Sequence, residues 1–248
     1  MFSRSMIRVR AVRLAVVAVT AAAVAMVSPG ASALPTGSSD LPTGTSQTSA
    51  GTPPTATTSV STPYGSIGVW MLRSDGNVAN WLGQQYQGKS LYEPVNVVFV
   101  DRTSATADAA TATLTNRLSA AGFPVQWLHS TGYQGRINGQ LYAQQPPDGS
   151  DSAFSDATAV ETNDHGRVFG PAPLAGGGFV WSAAFSREKF EVITHGYVSF
   201  AQARGNLRAA LLGKGATDLG VLTLGNTYNT DTASTGDHDG NTVVLGLN

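Results

Sequence analysis

Four histidines, at positions 129, 165, 195 and 238, are the side chains of this 248-residue sequence best suited to acid–base or metal chemistry near neutral pH. Each sits in a polar string: His129-Ser130-Thr131-Gly132-Tyr133, Asn163-Asp164-His165-Gly166-Arg167, Thr194-His195-Gly196-Tyr197 and Gly236-Asp237-His238-Asp239-Gly240. All four fall at expected strand ends or in glycine turns, where sites are assembled on a rigid scaffold. In an extended chain residues two apart share a face, so His165 aligns with Arg167 and His195 with Tyr197. Imidazole with carboxylate suits zinc or manganese. The expectation is a divalent ion held by His165, His195, His238 and Asp239, with His129 and Arg167 as catalytic side chains beside it. The competing expectation makes these histidines loop caps and carbonyl partners, because the sequence has no short two-histidine motif.

Other strings carry less chemistry. Asp237, Asp239, Gly240 and Asn241 resemble the middle of a calcium loop, but no acid follows Asp239, so a tight Asp-Gly-Asn turn between strands explains them. Leu128-His129-Ser130-Thr131-Gly132 after a strand is similar to a nucleophile elbow, yet the next residues, 133–139, have two glycines and no helical period. Ser130 then reads as a turn serine. The carboxylates offer no convincing pair: Glu188 and Glu191 alternate with Arg187 and Lys189, the pattern of a solvated face, and Asp148, Asp151 and Asp156 lie in a Pro, Gly and Ser rich loop. No phosphate loop or dinucleotide fingerprint follows the apolar run 95–100.

The elements that must position these residues read as an α/β domain with a mixed sheet. Asp75 starts an expected short helix carrying Val78, Trp81, Leu82 and Tyr86, ended by Gly88. The run 95–100 is apolar on both sides, as a strand covered on two faces should be. A helix follows with Ser104 as N-cap and Ala107, Ala110, Leu114 and Leu118 on one stripe, stopped by Gly122 and Pro124. Residues 125–128 resume an extended run, completing a βαβ unit. Beyond Pro146-Pro147 come additional extended, antiparallel pieces at 165–169, 179–185 and 192–198. A second helix is capped by Ser199 and stopped by Gly213, and strands at 219–224 and 242–247 close the chain.

Ahead of this domain, expected over 64–248, residues 1–33 have the layout of a secretory signal: four arginines, the apolar run 14–27, then Ala31-Ser32-Ala33 as a cleavage site. The run is shorter than the about 20 residues a bilayer-spanning helix needs, so no stable membrane insertion is expected after processing. Residues 34–63, nearly all Pro, Thr, Gly, Ser and Ala, read as a disordered linker. The chain has 0 Cys, hence no disulfides, and a net charge of −1 that is more acidic once the leader arginines are set aside. That balance argues against nucleic acid as partner.

The ordered blocks Glu93-Pro94-Val95-Asn96-Val97-Val98-Phe99-Val100-Asp101, His129-Ser130-Thr131-Gly132-Tyr133, Asn163-Asp164-His165-Gly166-Arg167, Phe185-Ser186-Arg187-Glu188 and Tyr197-Val198-Ser199-Phe200 resemble a family of secreted actinobacterial proteins. These are similar, more distantly, to the LssY-type C-terminal domain, found in envelope proteins beside membrane phosphatase and transport-like domains. The resemblance implies a secreted, cell-envelope setting and an envelope component or small molecule as ligand. The activity expected of the histidine set is metal-assisted hydrolysis of an envelope ester or phosphoester. The alternative is a non-catalytic binder of glycan, lipid or protein, with Trp70, Trp81, Trp127 and Trp181 as apolar platforms.

Overall fold

A computed structural model describes residues 51–145, 152–191 and 194–248. The expected signal segment and the linker up to residue 50 lie outside the described residues. The remainder of that expected linker is not free chain. Thr52 N–H donates to the Thr227 carbonyl at 2.9 Å, and Ser59–Thr62 forms the first strand, β1, paired antiparallel with β2 (Gly65–Gly68). The folded unit therefore begins before Tyr64: backbone pairing outweighs a side-chain composition that offers little to bury.

The further elements are β3 (Asn80–Tyr86), β4 (Lys89–Tyr92), β5 (Val97–Asp101), α1 (Ala107–Ala120), β6 (Val125–Trp127), β7 (Gln134–Ile137), β8 (Gln140–Gln145) and β9 (Ser152–Ser155). They continue with β10 (Asn163–Pro173), β11 (Phe179–Glu191), β12 (Thr194–Ser199), α2 (Phe200–Leu212), β13 (Thr217–Thr223), β14 (Ala233–Ser234) and β15 (Asn241–Gly246). Among the described residues the protein is mostly β, with a mixed sheet and two helices. The large sheet runs β1-β2-β7-β8-β10-β11-β5-β15-β13, and β14-β4-β3 forms a second, small sheet. The strand–helix–strand unit is present in a stretched form. Four antiparallel pairings separate β5 from β6 through β11, β10 and β9, so α1 joins two strands of the same direction that are not neighbours.

The long strands β10 and β11 divide the core. Val168, Trp181, Ala183 and Phe185 face the helices, where Ala110, Leu114 and Leu118 of α1 and Ala203, Leu207 and Leu211 of α2 pack with Val97, Phe99 and Leu245. Val98, Val100, Val180 and Val244 point the other way, against Ile67, Val69, Trp70, Val95 and Leu224. Burying each large apolar side chain contributes about 1.5–3 kcal/mol, so coverage of both faces supplies the core of a chain without disulfides. Among the described residues no helix is long and apolar enough to cross a membrane.

The segment expected as a helix at 75–88 is instead two turns around a strand. Asp75 Oδ1 accepts from Asn77 N–H at 2.9 Å, Gly76 adopts a φ of 80°, and Leu72 bridges Val78. Gln87 and Gly88, with φ of 52° and 76°, close the β3–β4 hairpin. Two consecutive left-handed residues match the twist of a two-residue hairpin turn, and this local geometry prevails over the helical spacing of the apolar residues.

Candidate metal centre

Three imidazoles meet one carboxylate oxygen on the sheet face opposite the helices. Oε1 of Glu188 lies 2.8 Å from Nδ1 of His195, 3.5 Å from Nδ1 of His165 and 4.0 Å from Nδ1 of His129. Asn163 Nδ2 donates to the same oxygen at 3.2 Å, and Asn163 Oδ1 lies 3.0 Å from His165 Nδ1. His129, His165 and Glu188 present ligand atoms that all fall within 4.8 Å of one another.

Strand parity builds this arrangement. On β10, Asn163, His165 and Arg167 alternate with Asp164, Gly166 and Val168, and the second set faces the helices. On β11, Glu188 shares its face with Ser186 and Ala184, while Arg187 turns to Asp164. Gly166 stands opposite Phe185 in the ladder, where a Cβ would overlap the phenyl ring. Asn96, just before β5, takes the N–H of Phe185 on Oδ1 at 2.9 Å and donates to its carbonyl at 2.8 Å. It thus extends the ladder of β5 by side chain and fixes β11 where it approaches the site. His129 arrives from the end of β6: Leu128 takes a φ of 66°, rare for a branched side chain, and is exposed while the next residue, His129, is buried. No helix follows; the next element is β7, so the elbow-like string does not form an elbow.

Beside the cluster is a cavity of about 10 Å³, room for one water-sized body, lined by Trp81, Glu93, Ser130, Tyr133, His165, Arg167 and Glu188. The buried Arg167 donates through Nη2 to Ser130 Oγ at 3.1 Å, and its guanidinium carbon lies 5.4 Å from the centre of the Tyr133 ring. Burial pushes the Glu93 carboxyl up to about 7, with Glu188 adding to the rise and Arg167 opposing it. Burial, reinforced by Arg167 and His195, lowers His129 to about 3. It also holds His165 well below the ordinary imidazole range, again with help from Arg167. Both are therefore neutral at pH 7, the form that binds a metal. Nε2 of His129 is buried with no hydrogen-bond partner, a costly state for a polar atom unless a ligand completes it.

Of the expected ligands, His165 and His195 reach this cluster; His129, expected to be catalytic, joins them as a third imidazole, and Arg167 lines the cavity. His238 and Asp239 are engaged elsewhere. His238 Nε2 is 2.7 Å from Asn226 Oδ1, and Asn226 donates to the carbonyls of Val69 and Val95. Asp239 takes two hydrogen bonds from Arg204, at 2.7 and 2.9 Å, and one from Asn241 N–H in the tight turn expected there. Glu188 corrects the expectation of a solvated charge: it is 4% exposed. Glu93 and Glu188 also supply the carboxylate pair that the spacing did not show. Three of the four tryptophans expected as platforms, Trp70, Trp81 and Trp181, are core residues. Compared with protein-family models, with curated proteins and with solved structures, the chain matches none.

Proposed function

We propose that His129, His165, His195 and Glu188 hold a divalent ion, zinc by donor type, and that the protein hydrolyses an ester or phosphoester in the cell envelope. The observation that carries this reading is the convergence of imidazoles from three separate segments on one buried carboxylate oxygen, next to a cavity with a buried arginine and a second glutamate. A bound ion supplies Lewis acidity and makes a water molecule acidic enough to react near pH 7. Asn163 fixes His165 through Nδ1, which leaves Nε2 as the nitrogen that His165 would offer an ion. Glu93, titrating at about 7, accepts a proton from the attacking water and returns it to the leaving group. Arg167 offers fixed N–H donors to the negative charge that develops on the substrate oxygen, and Ser130 orients that guanidinium. The buried state of three tryptophans weakens the alternative of a purely apolar binding platform.

The test is metal content and metal-dependent hydrolysis of the full chain. One zinc or manganese per chain is expected by elemental analysis. Cleavage of p-nitrophenyl acetate or bis-p-nitrophenyl phosphate should disappear with chelation and return with the ion. A chain that retains no divalent ion, and whose hydrolysis of both esters ignores chelation, overturns the proposal.

A further inference from the structure

We infer that the substrate of this site carries its scissile group on a saccharide, held in the cleft next to the cluster. The inference rests on the hydrolase reading for its chemistry, though the binding it predicts does not require a metal.

A cleft of about 280 Å³ opens between the β3–β4 hairpin and the β11–β12 hairpin. His195 forms part of its wall while its Nδ1 touches Glu188, and Trp81, also in the wall, packs on His165 with ring centres 6.0 Å apart. A molecule in the cleft therefore lies against the histidine cluster. Three glutamines, Gln84, Gln85 and Gln87, are among its lining residues, and Gln87 Nε2 donates to the Tyr86 hydroxyl at 3.2 Å. An amide both donates and accepts, as a hydroxyl does; a phosphate or carboxylate would use only its donor half, and an ammonium only its acceptor half. The two charges at the mouth, Lys189 and Glu191, neutralise each other at 2.6 Å and leave no field to select an ion. Tyr86 and Tyr197 meet edge to face at 4.8 Å. The Tyr197 hydroxyl is committed to Asp237, so what it presents to the cleft is ring. Uncharged amides on one side and aromatic surface on the other match a sugar, with its hydroxyl rim and C–H faces, better than they match a charged chain.

The test titrates the full chain, stripped of metal, with tetra-N-acetylchitotetraose and with cellotetraose, followed by saturation-transfer NMR and calorimetry. Tetra-alanine and inorganic phosphate serve as comparison probes. At least one saccharide should bind, and Gln85→Ala with Gln87→Ala should weaken it tenfold or more. Both side chains are exposed, so the melting temperature should not move. The inference is overturned if neither saccharide binds, if the double variant leaves binding unchanged, or if tetra-alanine or phosphate binds in the cleft in its place. Metal content measured on the same preparation separates the two claims: an ion without sugar binding removes only this inference, and sugar binding without an ion removes only the hydrolase.

Discussion

Around His238 the nearby carboxylates are already matched, whereas around His165 three imidazoles and an amide crowd a single carboxylate oxygen. Asp239 is clamped by Arg204 and its own turn. Asp237 closes the N-terminus of α2, accepting from Phe200 N–H at 2.7 Å and from the hydroxyls of Ser199 and Tyr197. Burial works against its charge, yet these donors hold its carboxyl below the usual range. That region ties the 225–240 loop to the helix and to the Val69 and Val95 backbone. Each region keeps one buried imidazole nitrogen without a hydrogen-bond partner, but at the cluster the same residue types face inward on a cavity and share a single carboxylate oxygen. Residue type alone does not separate structural from reactive histidine; what separates them is whether the neighbouring charges are already answered.

The largest expected effect breaks this contrast if it is wrong. His165→Ala and Glu188→Gln should each lower zinc affinity at least a hundredfold, by competition with a chromophoric chelator, while His238→Gln keeps it. Equal losses from all three would merge the two regions into one.

Acid should act next most strongly, on the stability of the metal-free chain. Unfolded histidines take up protons near 6.5, but folded His129 and His238 resist until about 3 and 4, and His165 until well below its ordinary value. As pH falls below 6.5 the unfolded chain binds more protons, and stability drops. Glu93 works in the opposite sense: folded, it takes its proton at about 7, and unfolded at 4.5, so it opposes the drop across that window. Three groups against one leave a net loss of about 1–3 kcal/mol per pH unit. Urea unfolding at pH 7 and pH 5 measures it, and Glu93→Gln should steepen the loss. A smaller effect sharpens the structural side: Asp237→Ala removes the acceptor of the Phe200 N–H at the start of α2 and should cost about 1–2 kcal/mol in thermal unfolding, with zinc affinity unchanged. Smallest is Asp239→Asn. Half-exposed pairs contribute less than about 1 kcal/mol, so a loss of metal binding there would contradict the assignment of the cluster.

Elements governed by local chemistry were the legible ones. Ser199 accepts from Gln202 N–H and starts α2, and Gly213 ends it, as the sequence implied. α1 buries Ala110, Leu114 and Leu118 of its expected stripe but exposes Ala107, and its cap is Thr106, two residues on, because Ser104 is held by Asp101 through both N–H and hydroxyl. The double-sided run at 95–100 and the alternating face of β11 also stand. Turn chemistry was missed: Asn138-Gly139, both left-handed, closes the β7–β8 hairpin and was present in the letters. Glu188 could not be seen as buried, because it is the one residue of the charged string under cover: it turns toward the three imidazoles, while Lys189 and Glu191 stay exposed. That His129 and His165 join His195 at Glu188 depends on contacts between segments more than twenty residues apart, about which periodicity is silent.

Gly166 connects the two faces of the sheet in a way that constrains how this site can change. The ring of Phe185 fills the space that any side chain there would need, on the side of the core. His165 and Arg167 are thus held apart by a position whose occupant is decided by packing on the opposite face. A substitution at Gly166 would first displace the phenyl ring from between Phe99 and Phe123, and only through that movement alter the spacing of imidazole and guanidinium. The geometry of the polar side is in this sense inherited from the greasy one, and a search for variants with altered reactivity would do better to begin beneath the sheet than at its reactive surface.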